Sequence, residues 1–239
     1  MGIKRELREK PLLIVNYKVY TSAFGSRGLK IAVAAEKVYK KLGRNILIIV
    51  APPATELRLI SEQVSIPVFA QHADPINLGA NTGYLPLELI KDTGAAGVML
   101  NHSEHRLKLS EIERGIVKAL EVDLTTLVCA STPRVAGAVA MLKPDIIAVE
   151  PPELIGTGVA VSKAKPEVIS DTVRIIRQVN TEVVILTGAG ISRAEDVGAA
   201  IRLGTTGVLV ASAIMKSENP EKVITEMAEA AIKEYYKRG

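Results

Sequence analysis

The sequence predicts a single (β/α)8 barrel domain over residues 1–239, and three observations predict it. Short apolar, β-branched runs recur eight times at fairly even spacing. Stretches with helical periodicity and charged exposed positions lie between most of these runs. Aromatic residues make up only 3% of the chain, so Ile, Val, Leu and Ala must fill the core, as they do in parallel sheets buried on both faces.

The eight candidate strands are, in chain order, LLIVNY, ILIIVA, PVFAQ, GVML, LTTLVC, DIIAVE, VVILTG and GVLVAS. The clearest helical stretches between them are GLKIAVAAEKVYKKLG, ATELRLISEQV, LSEIERGIVKALE and KPEVISDTVRIIRQV. A last helix is predicted in NPEKVITEMAEAAIKEYYK, with Asn219 as its N-cap and Pro220 at its first position. This alternation implies right-handed βαβ units and a parallel sheet. Helices in every gap favour closure into a barrel, and an open doubly wound sheet is the rival fold.

Composition restricts the class of function. The net charge of +4 is spread along helical stretches and interleaved with Glu, so we expect no nucleic acid partner. One cysteine, Cys129, excludes an intramolecular disulfide framework and is typical of a reducing cytoplasm. The N-terminal MGIKRELREK has no signal-peptide core, and no apolar run approaches the length of a membrane span. We therefore expect a cytoplasmic protein without a membrane partner.

Polar residues appear where the apolar runs stop. Asn16 and Lys18 follow the first strand, His102 and Glu104 the fourth, and Glu150 the sixth. Because the carboxyl ends of parallel barrel strands open onto one face, we expect these residues to share a site. The last two strands end in TGAG and ASA, small residues that let backbone amides approach an anion such as phosphate. Glycines also simply end strands, so this stretch alone leaves both interpretations open.

The motifs VNYK, NHSEHR, VEPPELIGTG, TGAGIS and GVLVASA resemble, in this order and spacing, those of the triosephosphate isomerase family across nearly the whole chain. The PPE after the glutamate and the TGAG are more similar to the shorter archaeal members. The resemblance implies a TIM barrel that interconverts D-glyceraldehyde 3-phosphate and dihydroxyacetone phosphate through an enediolate, in glycolysis and gluconeogenesis. We expect neither cofactor nor metal, because three scattered histidines and one cysteine form no convincing metal set and TGAG lacks the spacing of a dinucleotide site.

The resemblance also implies the catalytic roles. Glu150 matches the base, placed beside a lid that shields it from water. His102 matches the electrophile, a neutral imidazole with the start of a short helix behind it. Lys18 supplies positive charge to the enediolate and the phosphate, and Asn16 supplies a polar contact to the substrate. Glu104 matches a supporting carboxylate beside the lysine and the histidine.

The phosphate contacts implied by the resemblance come from the backbone. The amides of Gly190, Ala211 and Ser212 would bind the phosphate. Many relatives have a serine at position 190 and glycines at positions 211 and 212. Because the contacts use the backbone, these replacements should be tolerated. The segment PPELIGTG after the base would be the lid, and its closure would bring amides near Ile155 and Gly156 to the phosphate. A rigid strand-to-helix connection is the alternative, because Pro and Gly occur in any loop.

Other positions are interpreted as structural or as contacts between subunits. His105, where the family commonly has arginine, is the rival of His102, and we expect His105 and His72 to be structural and Cys129 to pack. The segment NLGANTGYLP, residues 77–86, resembles the loop by which one family subunit reaches into its neighbour. It implies a homo-oligomer, and the archaeal resemblance a homotetramer built as a dimer of dimers, while an exposed loop is the alternative.

Two rival functions stay open. The first is another phosphate-binding barrel, such as a sugar-phosphate epimerase or an aldolase. Such enzymes generally need a metal or a lysine inside a strand, and no predicted strand contains an internal lysine. A catalytically silent barrel that binds a phosphate metabolite is compatible with the fold. Such a binder has no need for lysine, histidine and glutamate together, and turnover distinguishes it from an enzyme.

Overall fold

The apolar runs of the sequence become eight short parallel strands in a computed structural model that describes residues 3–151 and 166–237. The strands are β1 (Leu12–Asn16), β2 (Leu47–Ala51), β3 (Phe69–Ala70), β4 (Gly97–Leu100), β5 (Thr125–Ala130), β6 (Ile146–Val149), β7 (Val184–Thr187) and β8 (Gly207–Val210). Each of them lies within or at the predicted run, because β-branched residues tolerate burial on both faces of a sheet.

Helices precede, connect and follow the strands. They are α1 (Ile3–Glu9), α2 (Gly25–Lys41), α3 (Leu57–Gln63), α4 (Leu87–Asp92), α5 (Leu109–Glu121), α6 (Pro133–Met141), α7 (Pro166–Val179), α8 (Ala194–Arg202), α9 (Ser212–Met215) and α10 (Pro220–Tyr235), and a 3-10 turn (Ala54–Glu56) precedes α3. The predicted start of α10 is confirmed: Asn219 caps it by accepting a hydrogen bond from the Lys222 amide, and Pro220 is its first residue.

The strands form one sheet in the order β2-β1-β8-β7-β6-β5-β4-β3, with every neighbouring pair parallel. The Val50 amide donates to the Pro67 carbonyl at 3.2 Å, and Val50 forms a parallel bridge with Val68, so β2 also meets β3. This contact closes the sheet into a barrel. The predicted (β/α)8 barrel is therefore confirmed, and the open doubly wound sheet is wrong.

Alternating strand residues form two separate cores. One face of the strands packs on the helices, and the other fills the barrel interior, with residues that include Leu12, Ile14, Leu47, Ile49, Phe69, Met99, Leu127, Cys129, Ile146, Ala148, Leu186 and Leu209. The predicted packing role of Cys129 fits this place, since the side chain is fully buried there. Among the described residues, no helix is long and apolar enough to cross a membrane.

Helix α1 was not predicted from the sequence, and neither was the short helix α9; α1 closes the amino-terminal end of the barrel. Its Leu7 is 2% exposed and packs into the interior core. Two ion pairs anchor the helix, Lys4 with Asp145 at 3.2 Å and Arg8 with Glu182 at 2.6 Å. Since this end is filled by an apolar side chain, access to the barrel interior is left to the carboxyl ends of the strands.

Candidate active site

A cavity at the carboxyl ends of the strands brings the predicted residues together. It is lined by Asn16, Lys18, His102, Glu150, Gly190, Ala211 and Ser212. Glu104 lines an adjoining cavity that shares Asn16, Lys18 and His102 with the first one. The lid positions Ile155 and Gly156 lie outside the described residues. Every other position that the sequence singled out for the site therefore lies at one mouth of the barrel.

Glu150 is the most buried charged group of the cavity, although it follows β6 directly. Its side chain is 2% exposed, and its Oε1 lies 3.2 Å from Nε2 of His102. The Ser103 amide donates to its Oε2 at 3.4 Å. A carboxylate this buried needs such donors to offset its loss of water, and the contact with His102 fixes one oxygen toward the cavity.

His102 has a defined tautomer because of the turn that follows it. The Glu104 amide donates to its Nδ1 at 3.2 Å, so Nδ1 carries no proton and the proton of a neutral ring is on Nε2, the atom that faces Glu150. The expectation of a short helix behind His102 is wrong. The His105 amide bonds the His102 carbonyl at 2.9 Å to close a turn, and α5 starts only at Leu109.

Lys18 is held in place by both its backbone and its ammonium group. Its φ is 48°, in the left-handed region, and its amide donates to Oδ1 of Asn16 at 2.9 Å. Its Nζ lies 2.8 Å from Oε1 of Glu104, and Gln71 donates to its carbonyl at 3.0 Å. Asn16 in turn places Nδ2 3.5 Å from Nε2 of His102. The first strand and the fourth strand thus present a cation and an imidazole to the same cavity.

The loops after β7 and β8 form the opposite wall from small residues. Gly190 has a φ of 70°, which a side chain would adopt only with strain. Ala211 precedes the short helix α9, and Ser212 is the first residue of that helix. The first amides of a helix have no partner within the helix. At Gly190, Ala211 and Ser212 this wall therefore offers backbone donors.

Three residues that the sequence analysis missed also shape the site. A Cβ atom on Gly188 would lie 2.7 Å from Cγ of Glu150, so this glycine makes room for the carboxylate; the TGAG motif had suggested only a phosphate contact. Asn101 has a φ of 60° and donates to the Cys129 carbonyl at 2.9 Å, which fixes the start of the His102 turn. Lys216 also lines the cavity. The partners of these residues are distant along the chain, so the local sequence around each of them does not indicate its role.

The other two histidines pack against each other. The rings of His72 and His105 are stacked, with centroids 3.8 Å apart, and both line the adjoining cavity. Burial lowers the pKa of His72, although its contact with Asp74 opposes this effect. Among residues 3–151 and 166–237, no group of three or more His, Cys, Asp or Glu side chains could hold a metal ion.

Cys129 lies beneath the base in the barrel interior. Burial raises the pKa of its thiol well above the ordinary value, and the neighbouring Glu150 carboxylate raises this pKa further. The thiol is therefore protonated, and a protonated thiol is a poor nucleophile. Its place supports packing rather than covalent chemistry.

Comparison with known proteins gives one consistent family. The family model described as triosephosphate isomerase matches residues 11–230, which span all eight strands and the cavity. A triosephosphate isomerase of Caldivirga maquilingensis is 51% identical over 222 residues, covering 93% of this chain and 98% of that protein. One of Methanocaldococcus jannaschii is 51% identical over 216 residues, covering 90% of this chain and 98% of its own. A third, from Pyrobaculum arsenaticum, is 49% identical over 223 residues, which cover 93% of this chain and 99% of that protein.

Proposed function

The chain belongs to the triosephosphate isomerase family, and we propose that Glu150, His102 and Lys18 carry the reaction of that family. The reaction is the interconversion of D-glyceraldehyde 3-phosphate and dihydroxyacetone phosphate, an aldose–ketose isomerisation. The family membership sets aside both rivals, the different sugar-phosphate barrel and the silent binder. The observation that carries the residue roles is the buried Glu150 carboxylate, 3.2 Å from His102 at the barrel mouth.

Glu150 is the proposed base. Isomerisation moves one proton between two adjacent carbons, so a single carboxylate can remove it from one carbon and return it to the next. The side chain is 2% exposed, and bulk water therefore does not compete for the proton while the enediolate exists. Gly188 leaves the space in which this carboxylate lies.

His102 is the proposed electrophile. As the carbon loses its proton, negative charge develops on the substrate oxygens, and a hydrogen-bond donor must face them. The Glu104 amide occupies Nδ1, which leaves the Nε2 proton free to point into the cavity. Without substrate this proton faces Oε1 of Glu150, so substrate would enter between the base and the electrophile.

Lys18 is the proposed positive charge for the enediolate and the phosphate. Its ammonium lies 2.8 Å from Glu104, which makes Glu104 a positioning residue rather than a reacting one. Asn16 fixes the lysine backbone and adds a polar group to the same wall. The amides of Gly190, Ala211 and Ser212, with those near Ile155 and Gly156, are the proposed phosphate contacts.

The cellular setting and the assembly are also part of the proposal. We propose one domain over residues 1–239, acting in the cytoplasm in glycolysis and gluconeogenesis, as a homotetramer built from two dimers. The loop of residues 77–86 supports an oligomer because it exposes Leu78 and Tyr84 to 59% and 53%. Sedimentation of the purified protein as a monomer at all concentrations would exclude this assembly.

Turnover of the purified chain in the presence of EDTA, together with Lys18→Met, tests the roles. We expect metal-independent turnover, and we expect Lys18→Met to lower kcat/KM by about 10²-fold or more, since one preorganised charge is lost from the transition state. Lys41→Met is the matched control, because Lys41 is exposed at the end of α2, at the opposite end of the barrel. Equal rates in the two variants would remove Lys18 from the mechanism.

A further inference from the structure

In the described part of the chain, two lysines line the substrate cavity, and they differ in their partners. Lys18 approaches from the loop after β1 and is paired with Glu104 at 2.8 Å. Lys216 approaches from the end of α9, after β8. Within the described part of the chain, no carboxylate lies within ion-pair distance of the Lys216 ammonium. The cavity therefore has a second cation whose charge is not compensated by a neighbour.

The position of Lys216 is fixed by contacts between the two loops. Its amide donates to the Ser212 carbonyl at 3.0 Å, and Ser22 donates to the Met215 carbonyl at 2.6 Å, which ties α9 to the loop after β1. The Lys216 ammonium lies 5.4 Å from the centre of the Tyr20 ring, and Tyr20 also lines the cavity. A cation over an aromatic face is attracted electrostatically, so the Tyr20 ring favours this position of the ammonium beside the cavity.

The charge of the site shows what the second lysine does. A phosphate monoester carries close to two negative charges at neutral pH. Among the residues that the structure describes, the carboxylates of Glu104 and Glu150 outnumber the Lys18 ammonium at the two adjoining cavities. Without Lys216 the side chains here would present net negative charge to a dianion, and Lys216 brings them to balance.

We propose that Lys216 is a specificity-determining residue that attracts the phosphate group of the substrate and so selects phosphorylated trioses. This inference rests on the proposed function. The ammonium acts on the phosphate end of the substrate, beside Ala211 and Ser212, and not on the carbons that exchange the proton. Its effect is therefore on substrate capture, and it disappears when the substrate carries no phosphate.

The test compares Lys216→Gln with Lys41→Gln, which changes net charge equally at the opposite end of the barrel. At low ionic strength we expect Lys216→Gln to lower kcat/KM for glyceraldehyde 3-phosphate about tenfold, mainly through KM, and to weaken inhibition by inorganic phosphate by a similar factor. The loss should shrink at high salt. Isomerisation of phosphate-free glyceraldehyde should be unchanged, and Lys216→Arg should retain most of the wild-type value.

Three results would overturn the inference. Equal kcat/KM values in Lys216→Gln and Lys41→Gln would show that the charge plays no part in capture. An equal loss with glyceraldehyde 3-phosphate and with glyceraldehyde would show a structural role instead. Failure of the wild-type protein to turn over the phosphorylated triose would be a different failure, because it removes the proposed function itself and this inference with it.

Discussion

The two ends of the barrel use the same unusual backbone conformation for different tasks. At the amino-terminal end, Arg44, Asp123 and Lys143 have positive φ values of 61°, 52° and 56°, and each lies in a turn from a helix to the next strand. Left-handed residues commonly end helices in this way. At the carboxyl end, Asn101 directly follows β4 with a φ of 60°, and Lys18 lies two residues after the end of β1 with a φ of 48°. Here the conformation aims groups at the cavity.

Both ends bury polar groups, Thr125 and Thr126 at the amino-terminal end among them, but the buried acidic and histidine side chains of the described residues lie at the carboxyl end. The carboxyl end buries Asn16, His102 and Glu150 to 4%, 8% and 2% exposure. In the described residues, the hydroxyls of Ser103 and Thr187 at this end are buried without a hydrogen-bond partner. The amino-terminal end is closed by the apolar Leu7 and by ion pairs at the surface.

The comparison teaches that chemistry and stability are carried by opposite ends of one fold. An ionisable group that is buried costs free energy, and such groups concentrate at sites of function. Changes at the carboxyl end should therefore alter rate with little loss of stability, and changes at the amino-terminal end should do the reverse.

The largest of these effects is expected for His102→Gln. Loss of the imidazole donor should lower kcat about 10²–10⁴-fold, with the midpoint of urea unfolding nearly unchanged. His105→Gln is the matched control, because His105 stacks on His72 and is not among the residues that line the substrate cavity. Steady-state kinetics of both variants check this, and a greater loss in His105→Gln would assign the electrophile to the wrong histidine.

Leu7→Ala tests the opposite end. The side chain is 2% exposed within the interior core, so truncation should leave a cavity and lower the free energy of unfolding by about 2–4 kcal/mol. We expect kcat/KM to stay within a factor of two of wild type. Urea unfolding at fixed protein concentration measures the free energy of unfolding, and steady-state kinetics measure kcat/KM. A rate loss comparable to that of His102→Gln would show that the two ends are not separate.

Gly188→Ala tests how closely the backbone must approach the base. The new Cβ would lie 2.7 Å from Cγ of Glu150, so the carboxylate must shift, and a misplaced base should lower kcat about 10–100-fold. Gly25→Ala provides a contrast, since nothing lies within 4 Å of a Cβ built there; its positive φ costs stability rather than rate. Wild-type kcat in Gly188→Ala would mean that Glu150 does not need this position.

Glu36→Gln is expected to have the smallest effect, and only on stability. The hydrogen bonds from Ser65 at 2.6 Å, with a contribution from Lys40, lower the pKa of Glu36 from 4.5 to about 2. A depressed carboxyl pKa stabilises the fold above pH 4.5, and this contribution is lost as the pH falls toward 2. The variant should thus lose about 1 kcal/mol at pH 7. A difference from wild type that grew in acid would contradict this reading.

The sequence predicted the barrel well because the fold depends on repeated local patterns. Eight apolar runs, the cap at Asn219 and the polar residues after strands are all visible within a few positions of each other. Closure between β2 and β3 follows from the number of units rather than from any single residue.

The rest depends on contacts between distant segments. The clearance that Gly188 gives Glu150 joins two strands, and the pairing of Lys216 with Tyr20 joins the two ends of the chain. Helix α1 was overlooked since its seven residues expose charged groups, although Ile3 and Leu7 have helical spacing. The helix expected behind His102 came from the resemblance, and a turn supplies the amide instead.

Proton transfer by Glu150 is best tested with Glu150→Gln in D2O. With glyceraldehyde 3-phosphate, wild-type protein should turn over and incorporate deuterium at the carbons that exchange the proton. Glu150→Gln should lose both activities by about 10³-fold or more, while Glu36→Gln, the same change on α2, should keep them. Thermal unfolding of Glu150→Gln should stay at or above that of wild type, because a buried charge is removed. Wild-type turnover in Glu150→Gln would show that another group is the base.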